Sequence, residues 1–261
     1  MSSNILTVVI PTLNEEKGIQ ATIRKIPKKE IFEMGYELEV LVVDGNSTDS
    51  TRSAAEECGA KVIVEKNQGY GRAIRTGMTA ASGEIVIVCD GDATYPIELA
   101  PVFIKHLIDK NLDFVTISRL HADKMDSMSL IHRTGNKILS ASMKLLYSIN
   151  IKDSQSGMFL MKRGFIDSIN LISDHMSLSE EIKIIAFSFF PSDELDGKYY
   201  SRLGEAKLRT FRDGLSNLMF LFKFKKFLKR SLIQKRNSTR IANSQLSASH
   251  KQADYEMNMS L

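Results

Sequence analysis

The stretch Ile85-Val-Ile-Val-Cys89-Asp90-Gly91-Asp92 decides how the rest of the chain reads. Five apolar residues, four of them β-branched, are too few for a helix and stop at a polar turn, so they read as a strand. The same pattern recurs upstream. Ile5–Ile10 runs into Pro11-Thr12-Leu13-Asn14-Glu15, and Leu38–Val43 runs into Asp44-Gly45-Asn46-Ser47. Helical stretches over about 15–26, 51–58, 71–81 and 97–110 separate these strands from each other and from shorter ones at 62–64 and 114–117. Alternating strand and helix units of this length predict an α/β fold, a mostly parallel sheet sandwiched by helices. Ligands of such sheets bind outside the C-terminal strand ends. The three punctuated ends therefore converge on one cleft.

Past about residue 120 the alternation stops. A long helix is expected over 129–149, a strand over 156–162 and a helix over 178–187. Residues 215–228 form another helix, with Lys223, Lys225 and Lys226 among apolar residues that include Phe220, Phe222, Phe224 and Phe227. From about 231 the chain turns to Ser, Asn, Gln and Lys without periodicity, a composition expected to stay disordered. One domain over 1–228 followed by a basic tail over 229–261 is the organisation this implies.

Hydrophobic residues make up 43% and charged residues 25%, an ordinary globular balance. The net charge of +4 is unevenly spread: nine Lys or Arg and no acid fall between Gly214 and Ala253, which leaves −5 on the remainder. Cys58 and Cys89 are the two cysteines, so a reducing compartment is expected and a disulfide framework is not. Met1-Ser-Ser-Asn4 leads straight into a strand pattern, without the look of a secretory signal. No apolar run reaches the ~18–20 residues that span a bilayer. The chain is therefore not expected to cross a membrane by itself.

Asp90 and Asp92, spaced i and i+2 beyond a strand, offer hard oxygen ligands suited to Mg²⁺ or Mn²⁺. Taken alone, Asp-Gly-Asp reads equally well as a solvated turn. Asp44 ends a neighbouring strand, with Pro11, Asn14 and Glu15 on the third; Ser47, Thr48, Asp49 and Asn14 also suit helix caps. Asn67-Gln-Gly69-Tyr-Gly71-Arg-Ala-Ile74 is not a dinucleotide fingerprint, because its sixth position is Ile74 and it follows the third strand. Gly69 and Gly71 instead allow the chain to bend at the start of a helix facing the cleft.

Seven ordered blocks give these residues a common meaning: 10–15, 43–51, 67–77, Asp90-Gly91-Asp92, Ser118-Arg119, Asp153-Ser-Gln155-Ser-Gly157 and Arg202-Leu-Gly-Glu-Ala-Lys207-Leu208. Together, over residues 5 to about 225, they resemble the family-2 glycosyltransferases of GT-A (Rossmann-like) fold, in the branch of dolichyl-phosphate mannose synthases and archaeal dolichyl-phosphate glycosyltransferases. The resemblance implies a nucleotide-sugar site built from Pro11, Asn14, Glu15, Asp44, Gly71, Asp90, Arg119 and Gln155. It implies a metal on Asp90 and Asp92, and catalytic roles for Asp92, Arg202 and Lys207. A third metal contact in the family often comes from a Gln two positions after the second Asp, where this chain has Thr94. The expected reaction is inverting transfer of a sugar from a nucleotide-sugar, UDP-linked rather than GDP-mannose, to polyprenyl or dolichyl phosphate.

That acceptor suits the residues. A phosphate monoester has its second pKa near 6, so its oxygen is already anionic at neutral pH and needs no strong base. Holding it in line against a donor diphosphate requires cations, which Arg202, Lys207 and a metal would supply. A lipid acceptor also implies a membrane surface, met by amphipathic interfacial helices near 129–149 and 215–228. Their other reading is packing against the body, a membrane-anchored subunit or a second copy of the chain. No nucleic acid is expected as a partner. Two alternatives compete: a family-2 enzyme extending another glycan with Glu180 or Glu181 as base, and a catalytically silent nucleotide-binding subunit.

Overall fold

The computed structural model describes residues 4–120, 130–204 and 214–229. Lys207 and the tail beyond 229 lie outside them, as does Ser129 at the start of the expected long helix. One seven-stranded sheet has the order β3-β2-β1-β4-β6-β5-β7. The strands are β1 (Asn4–Thr12), β2 (Tyr36–Asp44), β3 (Lys61–Val64), β4 (Ile85–Val88), β5 (Phe114–Ser118), β6 (Phe159–Lys162) and β7 (Ser192–Asp196). β1 pairs in parallel with β2 and β4, β2 with β3, and β5 with β7. β6 is antiparallel to both β4 and β5. The sheet is mostly parallel, as the alternation predicts, but the fifth strand in sequence does not lie beside the fourth: β6 returns from downstream and fills the gap.

Helices cover both faces. On one, Leu6, Val8, Ile10, Ile85 and Ile87 pack with residues of α1 (Ile19–Arg24), α2 (Lys28–Glu33), α3 (Thr51–Glu57) and α5 (Ala100–Asp109). On the other, Val9, Val43, Val86, Val88 and Phe159 meet α4 (Tyr70–Ala80), α7 (Arg163–Ser168) and α8 (Leu178–Phe189). The alternation of Val8 and Val9 between the two clusters is the period-2 geometry of a strand covered on both faces. A third cluster joins Leu139 and Met143 of α6 (Leu130–Tyr147) to Ile184 of α8 and to Leu221 and Phe224 of a helix over 214–229.

Several boundaries differ from expectation. β1 continues through Pro11 to Thr12, because its partner there is β2 alone; pairing with β4 ends at Val9, so the missing proline N–H leaves no gap on that side. The first helix begins at Ile19, not Glu15. Residues 15–18 form a turn in which Glu15 C=O accepts the Gly18 and Ile19 N–H groups at 3.0 and 2.9 Å. β7 carries three acids and is not among the strands expected from the sequence, but as an edge strand it tolerates them. Asp193 faces His106 at 2.9 Å and Asp196 faces Lys152 at 2.7 Å. Among the described residues no helix is long and apolar enough to cross a membrane.

Candidate active site

The C-terminal ends of β1, β2 and β4 open on one cavity of about 290 Å³, with Pro11, Glu15, Gly45, Asp90, Asp92 and Arg202 in its wall. Asp90 follows β4 after Cys89, and Tyr70, the first residue of α4, donates its hydroxyl to Asp90 Oδ1 at 2.7 Å. Gly157 closes on the same carboxylate. A Cβ at that position would lie 2.6 Å from Asp90 Oδ2 and 2.6 Å from Tyr70 Oη, so only glycine fits. The Gly157 N–H donates to Tyr95 Oη at 2.6 Å, which pins the loop before β6. Burial, then the charge of Asp92, push the Asp90 pKa up to about 7, against the pull of the Tyr70 hydroxyl and of Arg119 and Arg202. Two carboxylates crowded this way resist being ionised together unless a cation joins them.

Asp92 is held from both sides. Its Oδ1 accepts the Thr94 N–H at 3.1 Å and the Thr94 hydroxyl at 2.6 Å, so Thr94 orients the second carboxylate. Its Oδ2 pairs with Arg202 Nη1 at 2.7 Å, and Arg202 Nη2 pairs in turn with Glu15 Oε1. One guanidinium thus ties the end of β1 to the turn after β4. Its buried Nε–H has no hydrogen-bond partner among the described residues. The Leu203 N–H to Asp92 C=O bond, 3.1 Å, and the Tyr200 N–H to Thr94 C=O bond, 2.9 Å, fix the segment that carries Arg202.

Other expected site residues lie around the cavity rather than in its wall. Asp44 is fully buried; its Oδ2 accepts the Ser47 N–H at 2.9 Å and faces Arg52 at 3.4 Å, while Oδ1 has no partner among the described residues. Asn14 clasps the loop after β2, donating its N–H to Ser47 Oγ at 2.8 Å and accepting the Thr48 N–H at 2.8 Å. Gly71 packs against backbone: a Cβ there would meet His175 C=O at 2.7 Å. The Arg119 guanidinium, 14% exposed, forms a two-pronged pair with Asp153 at 2.7 and 2.8 Å. Gln155 Oε1 accepts from Asn217 Nδ2 at 2.8 Å, on the helix over 214–229. Lys207 is outside the described residues.

Glu180 and Glu181 are both fully buried and neither lines the cavity. Glu181 accepts the N–H groups of Ile172 and Ser173, each at 2.8 Å, a structural task. Burial raises the Glu180 pKa well above the carboxylate range, against the opposing pull of Lys183 and Gln155.

Tyr70, Gly157 and Met176 are site residues that the sequence reading did not single out. Tyr70 and Gly157 stand inside recognised blocks, so the signal was present, but a hydroxyl meeting a carboxylate twenty positions away is a tertiary event. For a divalent cation the donor set fits: two hard carboxylates in one wall, one of them destabilised as an anion by burial and then by the other. Among the described residues no cluster of three or more His, Cys, Asp or Glu would enclose a metal by protein ligands alone. Remaining positions would fall to water and a substrate diphosphate, as is usual for Mg²⁺.

Residues 7–169 match the family described as Glycosyl transferase family 2. The low-salt glycan biosynthesis hexosyltransferase of Haloferax volcanii is 32% identical over 223 residues, 83% of this chain and 52% of that protein, so the chain spans about half of that relative's length. The dolichyl-phosphate hexose transferase of the same organism is 31% identical over 210 residues, 80% of this chain and 89% of that protein. The dolichol-phosphate mannosyltransferase of Pyrococcus furiosus is 28% identical over 64% of this chain and 48% of its own length. Among solved structures, glucosyl-3-phosphoglycerate synthase from Mycobacterium tuberculosis, in complex with Mn²⁺, UDP-glucose and phosphoglyceric acid, superposes with a TM-score of 0.65 at 19% identity, covering 86% of this chain and 80% of that one. At that identity the likeness speaks for the fold. The chain belongs to glycosyl transferase family 2, with a GT-A fold.

Proposed function

We propose that the chain transfers a sugar, with inversion, from a nucleotide-sugar to a polyprenyl or dolichyl phosphate. The observation that carries this reading is the Arg202 clamp: a guanidinium between Glu15 and Asp92, beside Asp90, in the wall of the cavity. A donor diphosphate entering there finds a cation already positioned, with its Nε–H unpartnered among the described residues. The names of the two Haloferax and Pyrococcus relatives that act on dolichyl phosphate support the acceptor. So does the lack of a carboxylate base at 180–181: both acids are buried away from the cavity, and an acceptor phosphate needs none.

Asp90 and Asp92 would hold Mg²⁺ or Mn²⁺, which supplies charge neutralisation to a departing nucleoside diphosphate. Arg202 would share that burden and orient the donor, while Thr94 and Tyr70 keep the two carboxylates in place. Pro11 and Glu15, with Asp44 behind Gly45, would form the nucleoside end. Asp44 Oδ1, buried without a partner among the described residues, offers an acceptor for a base N–H. UDP is favoured over GDP as the donor nucleotide. Lys207, Arg119 and Gln155 stay as expected contributors on the phosphate side, Arg119 through release from or through Asp153.

One catalytic domain over 1–228 would rest on a membrane surface, on its cytoplasmic face, through two helices. Ile131, Ile138 and Leu145 are exposed at seven-residue spacing along α6, beside Lys137 and Lys144. Leu215, Met219 and Phe222, spaced by four and three, are exposed along the helix over 214–229, beside Lys223 and Lys226. Apolar stripes edged with lysine suit an anionic lipid interface. A radiolabelled donor screen with polyprenyl phosphate and Mn²⁺ or Mg²⁺, reading label in the organic phase, tests the proposal. Label that appears only on a sugar hydroxyl, or no transfer from any UDP- or GDP-sugar, would refute it.

A further inference from the structure

The segment 172–177, before α8, is fastened to the start of α4 by three bonds, all to Asp174. Asp174 C=O accepts the Arg72 N–H at 3.0 Å. The Asp174 carboxylate takes Arg75 Nη1 at 2.7 Å and Arg72 Nη2 at 3.4 Å. From behind, the buried Glu181 carboxylate holds the N–H groups of Ile172 and Ser173 at 2.8 Å each. The glycines of Gly69-Tyr70-Gly71 are shaped to this segment. Gly69 has φ +152°, and a Cβ there would lie 2.2 Å from Asp174 C=O; a Cβ on Gly71 would lie 2.8 Å from Ser173 C=O. Its backbone is therefore set against α4 with no room for any side chain between.

The outcome of this fastening is the place of Met176. It is half-buried and shares the cavity wall with Gln68, Gly69 and Tyr70, and with the Asp90–Asp92 turn. A thioether on a segment held this way is an apolar, polarizable surface with an adaptable side chain. Such a residue sorts ligands by shape, not by charge.

We infer that segment 172–177 is the selectivity wall of the donor cavity, with Met176 meeting the nucleotide-sugar and Asp174 acting as the positioning residue that holds it there. The inference rests on the donor reading of this cavity. It assigns a task to Arg72, Arg75, Asp174 and Glu181, and it gives Gly69 and Gly71 a packing role against the loop. Neither Met176 nor Asp174 touches Asp90, Asp92 or Arg202 in any bond described above, so changing them leaves the metal carboxylates intact.

The test is nucleotide binding by the full chain, measured by titration calorimetry with UDP, GDP and their glucose and mannose conjugates in the presence of Mn²⁺. Met176→Ala is expected to weaken the preferred nucleotide-sugar about tenfold, the range set by one apolar contact, and to change the ratio between conjugates. Met176→Leu is expected to restore the parent's values. Asp174→Asn should lower affinity severalfold for all conjugates with a melting temperature close to the parent's, since the Asp174 carboxylate is partly exposed. Parental affinities and ratios in Met176→Ala would overturn the loop inference alone. A parent chain that binds no nucleotide under any of these conditions would overturn the donor reading and, with it, this assignment.

Discussion

Asp92 stands between Thr94, which fixes one oxygen, and Arg202, which neutralises the other. Asp92→Asn keeps the shape but halves what a cation could bind, so transfer is expected to fall to background while the melting curve stays near the parent's. Activity persisting in excess EDTA would contradict the metal assignment. Tyr70→Phe removes only the hydroxyl on Asp90; the loss expected is about tenfold in apparent Mn²⁺ affinity, the usual cost of an outer partner to a ligand, with donor KM at saturating metal little changed. An equal fall in both would make Tyr70 a packing residue only. Glu180 yields a prediction of opposite sign. Burial raises its folded pKa above the unfolded value, so its neutral form stabilises the fold below the unfolded pKa and that contribution is lost as pH rises through the folded one. Glu180→Gln should therefore flatten the stability profile above about pH 4.5 and leave transfer nearly unaltered. Urea denaturation at several pH values reads the first part. A collapse of kcat in the same variant would revive the general-base alternative.

At the scale of elements, the loop from Asp153 to Gly157 joins parts that sequence keeps far apart. Asp153 pairs with Arg119 beyond β5, Gln155 with Asn217 on the 214–229 helix, and Gly157 with Tyr95 and Asp90. Lys183 of α8, fully buried, donates to the carbonyls of Ser154 and Ser156 at 2.9 and 2.8 Å and closes the arrangement from below. Burial alone would raise the Asp153 pKa, but the Arg119 guanidinium reverses this and holds it well below the carboxylate range. Its contribution is thus present above the unfolded pKa and lost on acidification. Asp153→Asn leaves Arg119 buried without its counter-charge. Breaking such a pair costs on the order of 3–5 kcal/mol, which chemical denaturation at neutral pH would read directly. A change below ~1 kcal/mol would mean that Arg119 reaches solvent or another anion.

For the whole molecule, two helices outside the sheet leave apolar residues in water while burying others in the third cluster. Leu145 is 84% exposed, so Leu145→Asp costs the fold little and tests the membrane reading without confounding it. Sedimentation with anionic vesicles is expected to fall in that variant, and to fall for the parent as salt rises, since the Debye length is ~10 Å at 0.1 M. Equal sedimentation of the two proteins at all salt concentrations would assign this face to another partner.

The sequence by itself determined six of the seven strands, most of the covering helices and the three strand ends that share a cleft, because period-2 and period-3.6 patterns and turn residues are local properties of the chain. It also carried Asp90, Asp92, Glu15 and Arg202, through blocks whose order is legible without coordinates. Tertiary structure alone decided that β6 runs between β4 and β5, since strand order depends on which edge is free when a downstream segment returns. It decided that Arg202 spans Asp92 and Glu15, the latter 187 positions away, and that Asp90 and Tyr70 crowd the place a Cβ on residue 157 would take. Asn14, Arg119 and Gln155 fit a ligand site by residue type, but pairing with Thr48, Asp153 and Asn217 is set by which groups packing brings within hydrogen-bond reach. No local pattern encodes that distance.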